Sequence, residues 1–143
     1  MQGLFFEDLR LGLSAEITRV VEADDLTAFA AVSGDTNPVH LNEEFAGGTL
    51  FKGRIAHGML TASLISTVIG TKLPGSGCIY VSQSLRFLQP VRSGDTVTAI
   101  VTVKEVDVER KRIVMTTACK VQGKDVLTGE AVVMVPRRPA PQT

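Results

Sequence analysis

The chain has only two cysteines, only two histidines and no net charge, with 15 basic residues balanced by 15 acidic ones. Charge balance leaves no basic field to follow a phosphate backbone, so nucleic acid is excluded as a partner. Cys78 and Cys119 are far apart and match no metal or redox spacing. Both lie in strand-like sequence, where a buried free thiol is the expected state, which suits a reducing cytoplasm. No apolar stretch is long enough to cross a bilayer, since the best helical run, Gly58 to Ile69, falls well short of a span. A membrane partner is therefore not expected. The first residues carry Glu7 and Asp8 in place of a basic start and an apolar run, so no signal peptide is read there. There is no internal repeat and no linker. A length of 143 residues fits one domain, read as 1–136, followed by a Pro- and Arg-containing tail, 137–143, expected to be disordered.

What remains is an ordered series of patterns. Ile17 to Val21 reads as a first strand. Ala23 to Val32 reads as a short helix with Leu26, Phe29 and Ala30 on one face, stopped by Gly34. A helical turn is expected from about Asn42 to Ala46, capped by Asn42 and favoured by Glu43 and Glu44 at its positive end. Gly47-Gly48 should end it. Residues 58–70 form the strongest helix pattern, with Leu60, Leu64 and Val68 every fourth residue and Ile65 and Ile69 widening the stripe. Small residues, among them Ser63 and Ser66, would let another backbone approach. After Gly77 the period changes to two. Residues 78–88 read as a strand with Ile79, Val81, Leu85 and Phe87 on one face. Residues 96–103 alternate through Val97, Ala99, Val101 and Val103, and 112–121 through Ile113, Met115, Thr117 and Cys119. A hairpin at 122–125 leads to a last strand, Val126 to Val135. One long helix followed by a meander of strands predicts an α+β domain in which an antiparallel sheet packs on that helix.

The two histidines fall in two short segments with chemical potential. Ser33-Gly34-Asp35-Thr36-Asn37-Pro38-Val39-His40 places a carboxylate and an imidazole around an Asn-Pro turn. Pro38 fixes its own backbone and biases Asn37 toward extended geometry, and the Asn37 side chain can brace the turn. A stiff loop of this kind can hold Asp35 and His40 against one water for general acid–base work. A plainer role is also open, with Asp35 making a turn hydrogen bond and His40 capping the next helix. The second segment, His57-Gly58, opens the long helix. A glycine there exposes a backbone N–H where the helix dipole favours negative charge, a setting for a thioester oxygen that becomes an enolate. Its plainer role is tight packing at Gly58 with His57 as a cap. Ser66 lies two turns beyond Gly58, roughly on the same face, and a helix serine is commonly a packing residue.

In combination these segments resemble a known family. Phe29 through Asn42 is similar to the hydratase motif of MaoC-like (R)-specific enoyl-CoA hydratases. Phe51-Lys52-Gly53-Arg54-Ile55-Ala56-His57-Gly58-Met59-Leu60 resembles the family's second block. Ser82 through Phe87, followed by Pro90-Val91 and Gly94-Asp95, resembles its third. The blocks stand in family order and span most of 15–135. The resemblance implies a hot-dog fold, an antiparallel sheet wrapped around a long central helix. It implies a homodimer and an acyl-CoA thioester bound near the subunit boundary. By motif position, Asp35 and His40 would hold and activate water and the Gly58 N–H would bind the thioester oxygen. Asn37 would brace the loop, His57 would shape the helix start, and Ser66 matches a site position of related proteins.

The activity this implies is reversible syn addition of water to a trans-2-enoyl-CoA, giving an (R)-3-hydroxyacyl-CoA. It would serve polyhydroxyalkanoate supply or fatty-acid oxidation, with no metal and no cofactor beyond the coenzyme A of the substrate. Lys52, Arg54, Arg86 and Arg92 are basic residues near these blocks, for which solvated surface charge is the plainer reading. Ile65, Val68 and Ile69 are expected along an acyl pocket. Two alternatives use the same fold. A hot-dog thioesterase would need a carboxylate on or near the central helix, and residues 58–70 contain none. A non-catalytic acyl-thioester binding module would leave the Asp35/His40 pair without a purpose.

Overall fold

The computed structural model describes residues 3–141. A 3-10 turn at Phe6–Asp8 leads into strand β1 (Ser14–Val20) and three helices, α1 (Ala23–Ser33), α2 (Pro38–Leu41) and α3 (Glu43–Gly47). The long helix α4 (Gly58–Thr71) comes next. Five strands follow: β2 (Ile79–Gln83), β3 (Arg86–Phe87), β4 (Thr96–Asp107), β5 (Arg112–Val121) and β6 (Lys124–Met134). They form one antiparallel sheet in the order β1-β4-β5-β6-β2, with β3 also paired to β6.

Period-two patterning positions the core. Val97, Ala99, Val101 and Val103 on β4, and Ile113, Met115, Thr117 and Cys119 on β5, are all buried. The residues between them face outward and pair through hydroxyls, as Thr18 does with Thr98 at 3.2 Å and Ser14 with Thr102 at 3.0 Å. Against the inner face lies α4, which buries Thr61, Ala62, Leu64, Ile65, Val68 and Ile69. Its other side, with Ser63, Ser66, Thr67 and Gly70, is exposed. The sheet wraps the helix in the expected α+β hot-dog arrangement.

The helices before α4 form for local reasons. Gly34 stops α1 with φ 78°, a left-handed conformation that a side chain would oppose. Pro38 occupies the first turn of α2, where no N–H is needed, and the Asn37 side chain accepts from the Val39 N–H at 3.1 Å. Asn42 caps α3 by accepting from the Phe45 N–H at 2.9 Å. Helix α2 is absent from the sequence expectation, since its four residues are too few to show a period.

Three departures concern the strands. The first strand begins at Ser14, ahead of the expected Ile17. The expected continuous strand over 78–88 is broken into β2 and β3, and of its expected inward face Ile79, Val81 and Phe87 are exposed while Leu85 alone is partly buried against the core. The cause is its place at the sheet edge, with a register shift between Tyr80 and Ser82 that undoes simple alternation. Polar side chains fasten this edge. Gln83 donates to the buried Thr117 hydroxyl at 2.9 Å and to the Ser84 carbonyl at 2.8 Å, and the Glu130 N–H donates to the Ser84 hydroxyl at 2.9 Å. Cys78 lies just before β2 and is half-buried, whereas Cys119 is fully inside the core.

At the chain's other end, the Arg138 N–H donates to Glu7 at 2.8 Å, and the Arg138 guanidinium reaches Asp8 at 2.5 Å. Arg137 lies over the Phe6 ring at 5.5 Å. Residues 142 and 143, the last two of the tail expected to be disordered, lie outside the described residues.

Candidate active site

A series of hydrogen bonds folds the segment between α1 and α4 on itself. The Ser33 hydroxyl donates to the Phe29 carbonyl at 2.7 Å and accepts from the Asp35 N–H at 3.1 Å. One Asp35 carboxylate oxygen accepts from the Asn37 N–H at 3.2 Å. The turn at Pro38–Leu41 is then clipped to the segment before α4. Arg54 Nε donates to the His40 carbonyl at 2.7 Å, and the Ile55 N–H donates to the Val39 carbonyl at 3.3 Å.

These constraints bring both histidines to one place. His40, 9% exposed, directs Nδ1 at the Ile55 carbonyl oxygen at 2.8 Å. A carbonyl only accepts, so Nδ1 carries the proton, and neutral His40 presents an unprotonated Nε2. His57, 2% exposed, places Nε2 at 3.0 Å from the Asp35 carbonyl, which makes it the opposite tautomer. The two rings stack with centroids 3.9 Å apart and an interplanar angle of 27°. Side-chain ligand atoms of Asp35, His40 and His57 all lie within 4.8 Å of one another.

Asp35, His40, His57 and Gly58 all border one cavity of about 590 Å³. Gly58 is the first residue of α4, and no side chain caps that end. The N–H groups of a first helical turn have no intrahelical partner, so those of Gly58 and Met59 are available to an acceptor in the cavity. The position is also crowded: a Cβ there would sit 2.6 Å from the Phe87 ring, so the ring or the helix start would have to shift. The Asn37 side chain accepts from the Val39 N–H at 3.1 Å within this loop.

Ser66 is brought to a different surface. It is exposed and does not border this cavity. Eight residues along a helix turn a side chain about 80° away from its starting face, so Ser66 and Gly58 point in different directions. Ile65, Val68 and Ile69 are likewise not pocket walls, because they pack into the sheet core. The apolar lining comes instead from Phe29, Phe51, Met59, Phe87 and Leu88. Phe29 and Phe87 carry a sequence signal, misleading in both cases: on the helix of Phe29, Leu26 and Ala30 are buried while Phe29 turns toward the cavity, and the strand face assigned to Phe87 is not a core face. Arg54 and Arg92 are committed to the loop, through His40 and the Phe51 carbonyl.

Asp35, His40 and His57 also make a set of metal-ligand type. The free ring nitrogens, His40 Nε2 and His57 Nδ1, belong to stacked rings whose in-plane lone pairs run in near-parallel planes.

Fold and site together define a hot-dog protein with a carboxylate and two histidines gathered at a helix start. The chain belongs to the MaoC-like domain family, whose model matches residues 10–125. It is 54% identical to an (R)-specific enoyl-CoA hydratase of Rhodospirillum rubrum, over 94% of this chain and 93% of the relative. It is 48% identical to a 3-hydroxybutyryl-CoA dehydratase of Methylorubrum extorquens, over 94% and 86%. Among solved structures, the unliganded R-hydratase PhaJ1 of Pseudomonas aeruginosa superposes with a TM-score of 0.89 at 46% identity, covering 95% of this chain and 88% of that one.

Proposed function

We propose that this chain is an (R)-specific enoyl-CoA hydratase. The reaction is reversible syn addition of water to a trans-2-enoyl-CoA, yielding an (R)-3-hydroxyacyl-CoA. The observation that carries this reading is the meeting of Asp35 and His40, within 4.8 Å, at the uncapped start of α4 on an apolar-walled cavity. The close relatives' names support it.

The chemistry follows from the site. The thioester oxygen accepts from the Gly58 N–H, so charge that develops as water adds to Cβ is met by a fixed donor and the positive end of α4. Removal of one such donor costs about 3–4 kcal/mol in comparable sites. Asp35 and His40 hold the water between them. One member of the pair takes a proton from the water while the other gives a proton to Cα. The pair keeps one shared proton in total and is reset by exchange with solvent. Every step is an acid–base step, so we propose that the reaction runs without metal or cofactor.

The thioesterase alternative is disfavoured because α4 carries no carboxylate. The acting unit in this proposal is a homodimer. Support comes from the edge strand β2, which has an unpaired side and exposed Ile79, Tyr80 and Val81, and from the small exposed face of α4 that includes Ser66. Such an edge in a stable protein calls for a partner. A cytoplasmic location is proposed from the two unpaired thiols. No helix among the described residues is long and apolar enough to cross a membrane. A direct test incubates the protein with crotonyl-CoA and, separately, butyryl-CoA. The proposal predicts loss of enoyl absorbance with the first and no release of free coenzyme A from either. Release of free coenzyme A from butyryl-CoA without hydration of crotonyl-CoA would replace it with the thioesterase.

A further inference from the structure

Resting on the hydratase reading, we propose that His57 is a positioning residue that holds the acid, the base and the oxyanion donor in one frame. Among the described residues it alone has a buried side-chain nitrogen or oxygen without a partner, its Nδ1. A phenylalanine or methionine would fill the same space without that cost, so the imidazole must contribute something those side chains do not. The ring's own contacts supply the reason. The Nε2–H donates to the Asp35 backbone carbonyl at 3.0 Å. The ring face stacks on His40 at 3.9 Å, while Phe29, tilted by 54° with its centroid 4.8 Å away, provides another contact. The His57 backbone caps α4, its carbonyl accepting from the N–H groups of Leu60 at 3.0 Å and Thr61 at 3.3 Å. Gly58, the oxyanion donor, is the next residue along the chain.

A flat ring with an N–H on its edge is what this corner requires. The ring fixes the plane of His40, and the edge donor fixes the backbone that carries Asp35. Glutamine keeps the donor and loses the ring. Phenylalanine keeps the ring and loses the donor. Neither has both. The same contacts fix the tautomers in opposite senses, His57 as Nε2–H and His40 as Nδ1–H. His57 therefore transfers no proton in the reaction, because its one N–H is held by a carbonyl and its other nitrogen is buried.

The test uses the full chain with His57→Gln and His57→Phe, assayed with crotonyl-CoA alongside the wild type and checked for folding by circular dichroism. Absence of turnover in the folded wild type would count against the hydratase reading itself. With wild-type turnover established, each folded variant should lose about 10- to 100-fold in kcat, the scale of an ångström of misplacement, with KM changed by less than about threefold. A folded variant with kcat within about twofold of wild type, or with its loss confined to KM, would overturn the positioning role. Protein labelled with nitrogen-15 in histidine alone gives an independent arm, because only two rings contribute. At pH 8 the wild type should show one Nε2–H and one Nδ1–H ring, with the Nε2–H signals disappearing in either variant. Two Nδ1–H rings would overturn the assignment even if neither variant folds.

Discussion

The β4–β6 meander and the 33–58 segment are held by different forces. In β4 and β5 of the meander, burial alternates residue by residue over most of each strand, and each inward side chain is one of many filling the core. In the 33–58 segment, order comes from individual side-chain to backbone bonds: Ser33, Asp35, Asn37, His40, Arg54 and His57 each tie one stretch of backbone to another. Packing is collective, so a lost methylene lowers stability while leaving geometry nearly intact. A chain of single polar contacts has no such redundancy, so one lost contact shifts the reacting groups. Substitutions in the meander should therefore register as stability, and those in the segment as rate.

The largest expected effect is on rate. Asp35→Ala and His40→Ala should each lower kcat for crotonyl-CoA hydration by roughly 10²- to 10⁴-fold, with an unchanged circular dichroism spectrum. Activity within tenfold of wild type in either would remove the pair from the chemistry. Next is Gly58→Ala, whose methyl would stand 2.6 Å from the Phe87 ring. It should cost about 10²-fold in kcat by displacing the donor N–H. Adding Phe87→Ala should restore part of that loss, and no restoration in the double variant would mean the ring is not the obstacle.

The converse experiment is Met115→Ala in the meander. It should lower unfolding free energy by about 2–5 kcal/mol, read by urea denaturation, while kcat per folded molecule stays within about twofold. A comparable fall in kcat would erase the division between the two regions. Asn37→Ala should show a smaller effect of the segment type. Loss of the cap on α2 costs about 1 kcal/mol and should lower kcat by no more than about tenfold.

The smallest effect concerns thiols. Burial pushes the Cys119 thiol up to about 12 from an ordinary 9.0, and burial also raises Cys78. The folded form of Cys119 keeps its proton where the unfolded form loses it. Its contribution to stability is thus whole below pH 9 and is lost as pH rises toward 12. At pH 8 a thiol reagent should leave Cys119 unmodified in native protein and react slowly at Cys78. Equal labelling of both at the denatured rate would contradict the burial of β5.

Legibility in the sequence divides along the same line. Strands β4 and β5 and helix α4 were readable because a repeated period survives whatever one residue does. The edge strand misled because its apolar residues, Ile79, Val81 and Phe87, face outward at an edge, and alternation alone carries no information about what covers a face. Asp35, His40 and Gly58 are identifiable from sequence as types suited to acid–base and oxyanion chemistry, and the structure brings these three to the border of one cavity. The carbonyl bonds that set both tautomers were not legible, because Ile55 and Asp35 take part through backbone atoms and any residue offers those. Ser66 was displaced from the cavity by helix phase, about 80° over eight residues. The aromatic walls were not legible as walls: Phe51 lies in an irregular loop without a period, and the alternation that includes Phe87 assigns it to a strand face rather than to a cavity.

The most direct test of the central claim is hydration of crotonyl-CoA in deuterium oxide, with the product resolved for configuration at C3 and deuterium at C2. One site that delivers water and proton from the same side predicts (R)-3-hydroxybutyryl-CoA with a single deuterium added syn at C2. An (S) product, or deuterium scrambled at C2 before any back-reaction, would contradict the assignment of Asp35, His40 and Gly58 to one concerted site.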